Sequence, residues 1–376
     1  MDKNEYLSAP EILSKLMLVD YPLIVRIILP IIILNISSRI ASNSIRKYKI
    51  HKDFKPTDIS KITIPAELEQ KYSEVDMERF AATSYKEIIM EFTKKLEANF
   101  SDHDLTNFYN NINELTVKEK DFVIRELLTN HGAVALYKPK ENNISIHNNM
   151  PEEYAKPVLY HELFHMASSV YVDKVRYSGF AQKTVKSGIR MDGVGLNEGY
   201  TELLTQRFCD EKITIADNYK ESVKIAKYLE EIVDSELMQE FYFKADLSGL
   251  IDELKKYAPE EEIAKFISSS DFIHNYLCKQ PELENQDEMI RQSFKNVYGF
   301  LLRAYINKEE LNYNEGLISE ETFIHKIAKK ATLYDDFQTI GRKRYIYLKN
   351  EEIKEIVSSS LGDDLEKKIE ERRHIY

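Results

Sequence analysis

Glycine and proline scarcity constrains this chain more than any other feature. Eleven glycines and ten prolines occur in 376 residues, so glycine stands at about 3% against a usual 7% or so. A chain with few turn-formers folds into long uninterrupted elements, which predicts a mostly helical protein. With 43% hydrophobic residues it can bury a large core and divides by length into two or three units.

Charge and cysteine narrow the class. The net charge is −11, and no basic, aromatic-interleaved stripe offsets it, so nucleic acid is not expected as a partner. The two cysteines, Cys209 and Cys278, make no disulfide framework. They read as small apolar fillers in a reducing compartment. Residues 16–36 (LMLVDYPLIVRIILPIIILNI) are apolar on every side, which suits either a buried or interfacial helix or a membrane span. Arg26 near its centre is costly in lipid. The basic residues that follow it place the remainder in the cytoplasm if the segment spans. The expected location is cytoplasmic, either free or anchored by residues 16–36.

Periodicity gives the organisation. Helical spacing is expected over 76–100 and over about 104–129 with a break near 114–116, ending before Gly132. Residues 133–147 hold two strand-like runs around a turn-rich connection and predict a β-hairpin. Further helices are expected at 219–233, 246–257, 260–269, 286–305, 319–331 and 350–372. The expected units are 1–55 (an apolar helical segment), 56–210 (the chemical core) and 211–376 (a helical domain).

The chemistry lies in His161-Glu162-Leu163-Phe164-His165. On a helix, residues four apart share a face, so the two imidazoles can hold one Zn²⁺. Glu162, offset from that line, can take a proton from a water that the metal polarises. Leu159, Leu163, Met166 and Val170 fall on the opposite side and anchor the segment. Chance produces this pattern in about 2% of chains of this size and composition, so a third ligand has to be found. Ser168 and Tyr171 exclude the extended motif with a third histidine. Glu198 and Glu202 in Leu196-Asn197-Glu198-Gly199-Tyr200-Thr201-Glu202 are again four apart. Glu198 is the first candidate, ahead of Asp173, Asp192 and Glu315, and Glu202 can fix the tautomer of a ligand histidine.

The pair HELFH … LNEGYTE resembles the gluzincin-type zinc metallopeptidases, the thermolysin-like and aminopeptidase-like enzymes. The resemblance covers roughly 130–210 and implies an α+β, predominantly α-helical fold. That fold has a zincin-like catalytic core, a small β-hairpin or sheet and a helical C-terminal domain. It implies His161, His165 and Glu198 as zinc ligands, Glu162 as general base and Glu202 as the partner behind a ligand. It also implies an edge strand that binds an extended peptide or protein substrate, here through Ala135 and Tyr137. Thirty-two residues separate His165 from Glu198, against about twenty in those families, so the rim of the site differs. For the oxyanion donor, Tyr177 ranks ahead of Tyr171, Tyr200, His274 and His325. Two other classes stay open: a zinc-binding module that recognises peptides without cleaving them, and a helical membrane-associated interaction protein.

Glycine returns at this point. Gly179, Gly188, Gly193, Gly195 and Gly199 fall within 21 residues between the two motifs. They mark either an ordinary loop or a flap over 178–195 that closes on substrate.

Overall fold

The computed structural model describes residues 56–376, except 66–67, 102–104, 121–133, 149, 151, 173–174, 184–190, 210–218, 280–286 and 341–342. The apolar segment 16–36 and Gly188 lie outside the described residues. Among those described, no helix is long and apolar enough to cross a membrane. The fold is α+β and predominantly helical, with small sheets of two and three strands.

The elements run α1 (Lys86–Asn99), α2 (Thr106–Ile112), β1 (Thr116–Lys120), β2 (Ala135–Lys138), β3 (Asn143–His147), α3 (Glu152–Ala167), β4 (Ser169–Val172), β5 (Val175–Ser178), β6 (Ala181–Lys183) and α4 (Val194–Phe208). Then follow α5 (Lys220–Val233), α6 (Ser235–Phe243), α7 (Leu247–Leu254), α8 (Glu260–Lys279), α9 (Asp287–Asn314), α10 (Glu320–Tyr334), β7 (Phe337–Ile340), β8 (Lys343–Ile346), α11 (Asn350–Ser360) and α12 (Asp363–Arg373).

The hairpin expected over 133–147 forms, with Tyr137 opposite Ile144. Of the helix expected to resume after Thr116, residues 116–120 form a strand and the remainder, 121–129, lies outside the described residues. The strand runs parallel to β3, giving the order β1-β3-β2. Lys and Glu favour helix in isolation, but β3 offers a ladder of partners, and pairing overrides so short a local preference. The helix expected over 350–372 is two helices, parted at Leu361 and Gly362. The β7–β8 hairpin and α6 were not anticipated.

α3, which carries the first motif, is fixed by aromatic packing. Phe92 of α1 meets Tyr160 edge-on at 5.2 Å and Phe164 at 4.9 Å, and such pairs contribute beyond their buried area. Leu159, Leu163 and Met166 are fully buried, as the helical spacing requires, whereas Val170, expected on the same helix, is buried on β4 because the helix ends at Ala167.

α4 is held from both sides at its glycines. A Cβ on Gly195 would fall 2.4 Å from the Ser270 carbonyl oxygen of α8, and one on Gly199 would fall 2.2 Å from that of Ser222 on α5. Two helices therefore approach α4 nearly backbone to backbone. Its first turn is capped from a distance: Gly193 and Gly195 donate their amides to the two carboxylate oxygens of Asp271, at 2.9 and 2.8 Å. A carboxylate there satisfies orphan N–H groups and suits the helix dipole.

Of the glycine-rich stretch 178–195, residues 184–190 lie outside the described residues, and the ends on either side are held together. Residues 169–183 form a three-stranded antiparallel sheet, β4-β5-β6, and Gln182 and Asp192 exchange two backbone hydrogen bonds at 2.9 Å. The described glycines sit where side chains do not fit. Gly193, with φ of 81°, faces the Phe180 carbonyl oxygen. At Gly193, Gly195 and Gly199 the missing side chain permits close backbone approach.

Candidate metal centre

α3 and α4 pack side by side, and each presents one turn of polar residues to the other. His161 and His165, one turn apart, bring their Nε2 atoms to 3.1 Å of each other. Glu198 Oε2 lies 3.4 Å from His161 Nε2 and 3.5 Å from His165 Nε2. These three residues form a group that could hold a metal ion. The sequence placed Glu198 here ahead of its rivals. Glu315 is exposed, Asp192 accepts from Thr57 Oγ1 at 3.2 Å, and Asp173 lies outside the described residues.

Both imidazoles are held from behind. His161 Nδ1 lies 3.1 Å from Glu202 Oε2, so an Nδ1–H donated there leaves the Nε2 lone pair facing the group. His165 Nδ1 lies 3.4 Å from Thr201 Oγ1 and 3.3 Å from Asn197 Nδ2. Thr201 gives its own proton to the Asn197 carbonyl at 2.8 Å, so its oxygen is free to accept Nδ1–H. Thr201 was invisible in the sequence, although its place three residues after Glu198 puts it on the inner face of α4.

The charges are strongly coupled. Burial opposes a charge on His161, but Glu198 and Glu202 outweigh it and raise its pKa to about 10. Burial likewise opposes ionisation of Glu198, yet His165 and His161 hold its carboxyl well below the usual range. The pocket thus stabilises a carboxylate facing positive charge, the condition a bound cation also meets.

Glu162 is placed by the edge strand. Its Oε2 accepts the Tyr137 backbone amide at 2.6 Å. β2 is an edge of its sheet, and His147 donates to the Val134 carbonyl on the paired side. Backbone groups alternate along a strand, so Ala135 and Tyr137 present theirs to the open side. The Tyr137 amide is engaged by Glu162, and among the described residues no backbone partner takes the Tyr137 carbonyl or the Ala135 groups. Asn142 steadies the hairpin: its Nδ2 donates to the Asn111 carbonyl at 2.7 Å, and Asn111 donates in turn to the Met166 and Ser169 carbonyls at the end of α3.

Tyr177, expected near the reacting atoms, has a packing role instead. Its hydroxyl lies 3.0 Å from Thr63 Oγ1, and its ring packs with Val170 and Ala245. Strand alternation explains this, since the inward positions of β5 serve the core. Tyr200 is also engaged elsewhere, donating to Glu230 at 2.9 Å. The tyrosine beside Glu198 and His161 is Tyr219, at the N-terminus of α5. Its hydroxyl lies 3.5 Å from Glu198 Oε2, and its ring is edge-on to His161 at 5.6 Å. Burial, then the Glu198 carboxylate, raise its pKa well above the ordinary value, so it remains a donor. Behind it, His274 meets the Tyr219 ring at 5.7 Å, Ser222 Oγ at 3.2 Å and Cys278 Sγ at 3.4 Å. Cys209 is buried, Cys278 is half-buried, and neither forms a disulfide. No sequence signal singled out Tyr219 among 24 tyrosines.

Comparison of the chain with family models, with curated proteins and with solved structures finds no match.

Proposed function

We propose that this chain is a zinc-dependent metallopeptidase in which His161, His165 and Glu198 hold Zn²⁺ and Glu162 is the general base. One observation carries the reading. The three donor atoms form a triangle with sides of 3.1, 3.4 and 3.5 Å. Tetrahedral zinc with bonds of about 2.05 Å separates its ligands by about 3.3 Å. Two imidazoles and a carboxylate are also the donor set of one class of catalytic zinc sites, which leaves a fourth position open.

Bound there, Zn²⁺ supplies a Lewis acid for the scissile carbonyl and acidifies a water. The residues do the rest. Glu162 takes the proton of the attacking water and later delivers it to the leaving amine. The Tyr137 amide restricts Glu162 to one orientation, which lowers the entropic cost of reaching the water. Glu202 and Thr201 fix the tautomer of the ligand histidines and aim their Nε2 atoms. Tyr219 takes the role first given to Tyr177, donating to the oxygen that becomes negative. An extended peptide pairs with the open side of β2 at Ala135 and Tyr137.

Digestion of a peptide library with and without a chelator tests the reading. Cleavage that stops on chelation and returns with added zinc is the expected result. A protein that takes up no stoichiometric zinc, or that cleaves equally well when stripped, refutes it.

A further inference from the structure

Arg176 stands beside this site with donor capacity that the protein does not use. On β5 it lies directly opposite Tyr171 of β4, so the two side chains share a face of that sheet. Tyr171 and Tyr137 line one cavity of about 410 Å³, together with Asn111, Asn142 and Ser169. Tyr137 is the residue whose amide reaches Glu162, so the cavity opens at the strand that positions the base. The Arg176 guanidinium lies in the field of Glu198, Tyr137 and Glu162.

Its Nε is buried and has no hydrogen-bond partner. Glu198, Glu162 and Glu141 act on the guanidinium through space, with no side-chain hydrogen bond to it. A buried donor left unsatisfied is costly and rare. A guanidinium presents a planar fork of donors that matches a carboxylate. The charges of the cavity wall cancel, Lys71 and Lys140 against Glu69 and Glu114. Arg176, opposite the wall residue Tyr171, adds a positive charge beside it.

We propose that Arg176 binds a carboxylate of the substrate, so that the site selects peptides carrying a negative group close to the scissile bond. This rests on the peptidase reading above and names its substrate class. The carboxylate belongs either to the C-terminus of a short peptide or to an Asp or Glu side chain.

The test uses the full-length, zinc-loaded protein and four matched fluorogenic peptides. One ends in a free carboxylate and one is its C-terminal amide. The other two are amides with Asp or Asn beside the scissile bond. The wild type should prefer one carboxylate peptide over its neutral twin by about 30-fold in kcat/KM, the scale of a charge-assisted hydrogen-bond pair. The pair that shows the preference identifies the source of the charge. In Arg176→Met that ratio should fall to near 1, and Arg176→Lys should keep an intermediate ratio. Calorimetric binding of the same peptides to zinc-loaded Glu162→Gln should show the same preference without turnover. Equal cleavage of charged and neutral peptides by the wild type, or a ratio unchanged in Arg176→Met, overturns the proposal. Absence of cleavage of all four, with zinc bound, refutes the peptidase reading and this inference with it.

Discussion

The backbone amide of Tyr137 donates to the carboxylate of Glu162 at 2.6 Å, so the edge strand holds the side chain that follows the first histidine of the motif. Glu162→Gln keeps an oxygen to accept that amide and loses only its basicity. Its zinc content and melting temperature should match the wild type, while kcat falls at least about 100-fold. Metal analysis beside a peptide assay checks this, and undiminished turnover would remove Glu162 from the mechanism.

Glu202 contacts His161 Nδ1 at 3.1 Å and lies outside the proposed ligand set. Glu202→Gln should weaken zinc binding by about 10- to 100-fold, and Glu198→Ala should weaken it more. Competition with a fluorescent chelator reads both. Stripping zinc should lower Tm, because a ligand at 100 times its Kd stabilises the folded state by about 2.7 kcal/mol.

Tyr219 and Tyr177 are separated by one comparison. Tyr219→Phe should lower kcat by about 100-fold with little change in KM, as expected for a donor engaged only in the transition state. Tyr177→Phe removes a hydroxyl that meets Thr63 and should act on stability alone. A larger loss of kcat in Tyr177→Phe would reverse the assignment.

Glu91 of α1 ties α3 to its neighbour and gives the protein an acid-side limit. It accepts from Tyr160 at 3.0 Å and pairs with Lys95 and Lys156, both at 2.9 Å. Burial favours its neutral form, but these partners outweigh it and lower its pKa to about 2. A carboxyl more acidic in the folded state than in the unfolded chain stabilises the fold above the unfolded value of about 4.5. That contribution is lost as pH falls through about 2. The side chain is 36% exposed, so solvent screening limits the contribution to about 1 kcal/mol, or roughly 2 °C in Tm. Glu91→Gln should lose that amount at pH 7 and nothing more below pH 2, as read by thermal melts across pH.

Gly199→Ala places a Cβ against the Ser222 carbonyl and should cost about 1–3 kcal/mol or more. Gly362→Ala meets nothing within 4 Å and should change stability by less than about 0.5 kcal/mol. Urea melts of both variants measure the contrast.

How much of this could be read from the chain follows from how far each interaction reaches. His161 and His165 converge because 3.6 residues make a turn, and the same period set Glu198 and Glu202 on one face of α4. The hairpin was legible because its strands are adjacent and its turn residues lie between them. The strand at 116–120 was not, because its partner lies 27 positions on and its own residues favour helix. The five clustered glycines were visible as a count. Their purpose was not, since Gly195 and Gly199 answer to carbonyls of Ser270 and Ser222.

The sequence alone determined a helical protein with two polar helical turns able to share a cation, because composition and i, i+4 spacing are local properties. Tertiary structure alone decided the rest. It brought the Tyr137 amide to Glu162, set Tyr219 rather than Tyr177 beside the ligands, capped α4 with Asp271 and left the Arg176 Nε buried without a partner. Each of these depends on which elements pack together, and packing is decided by the summed burial of distant side chains rather than by any motif.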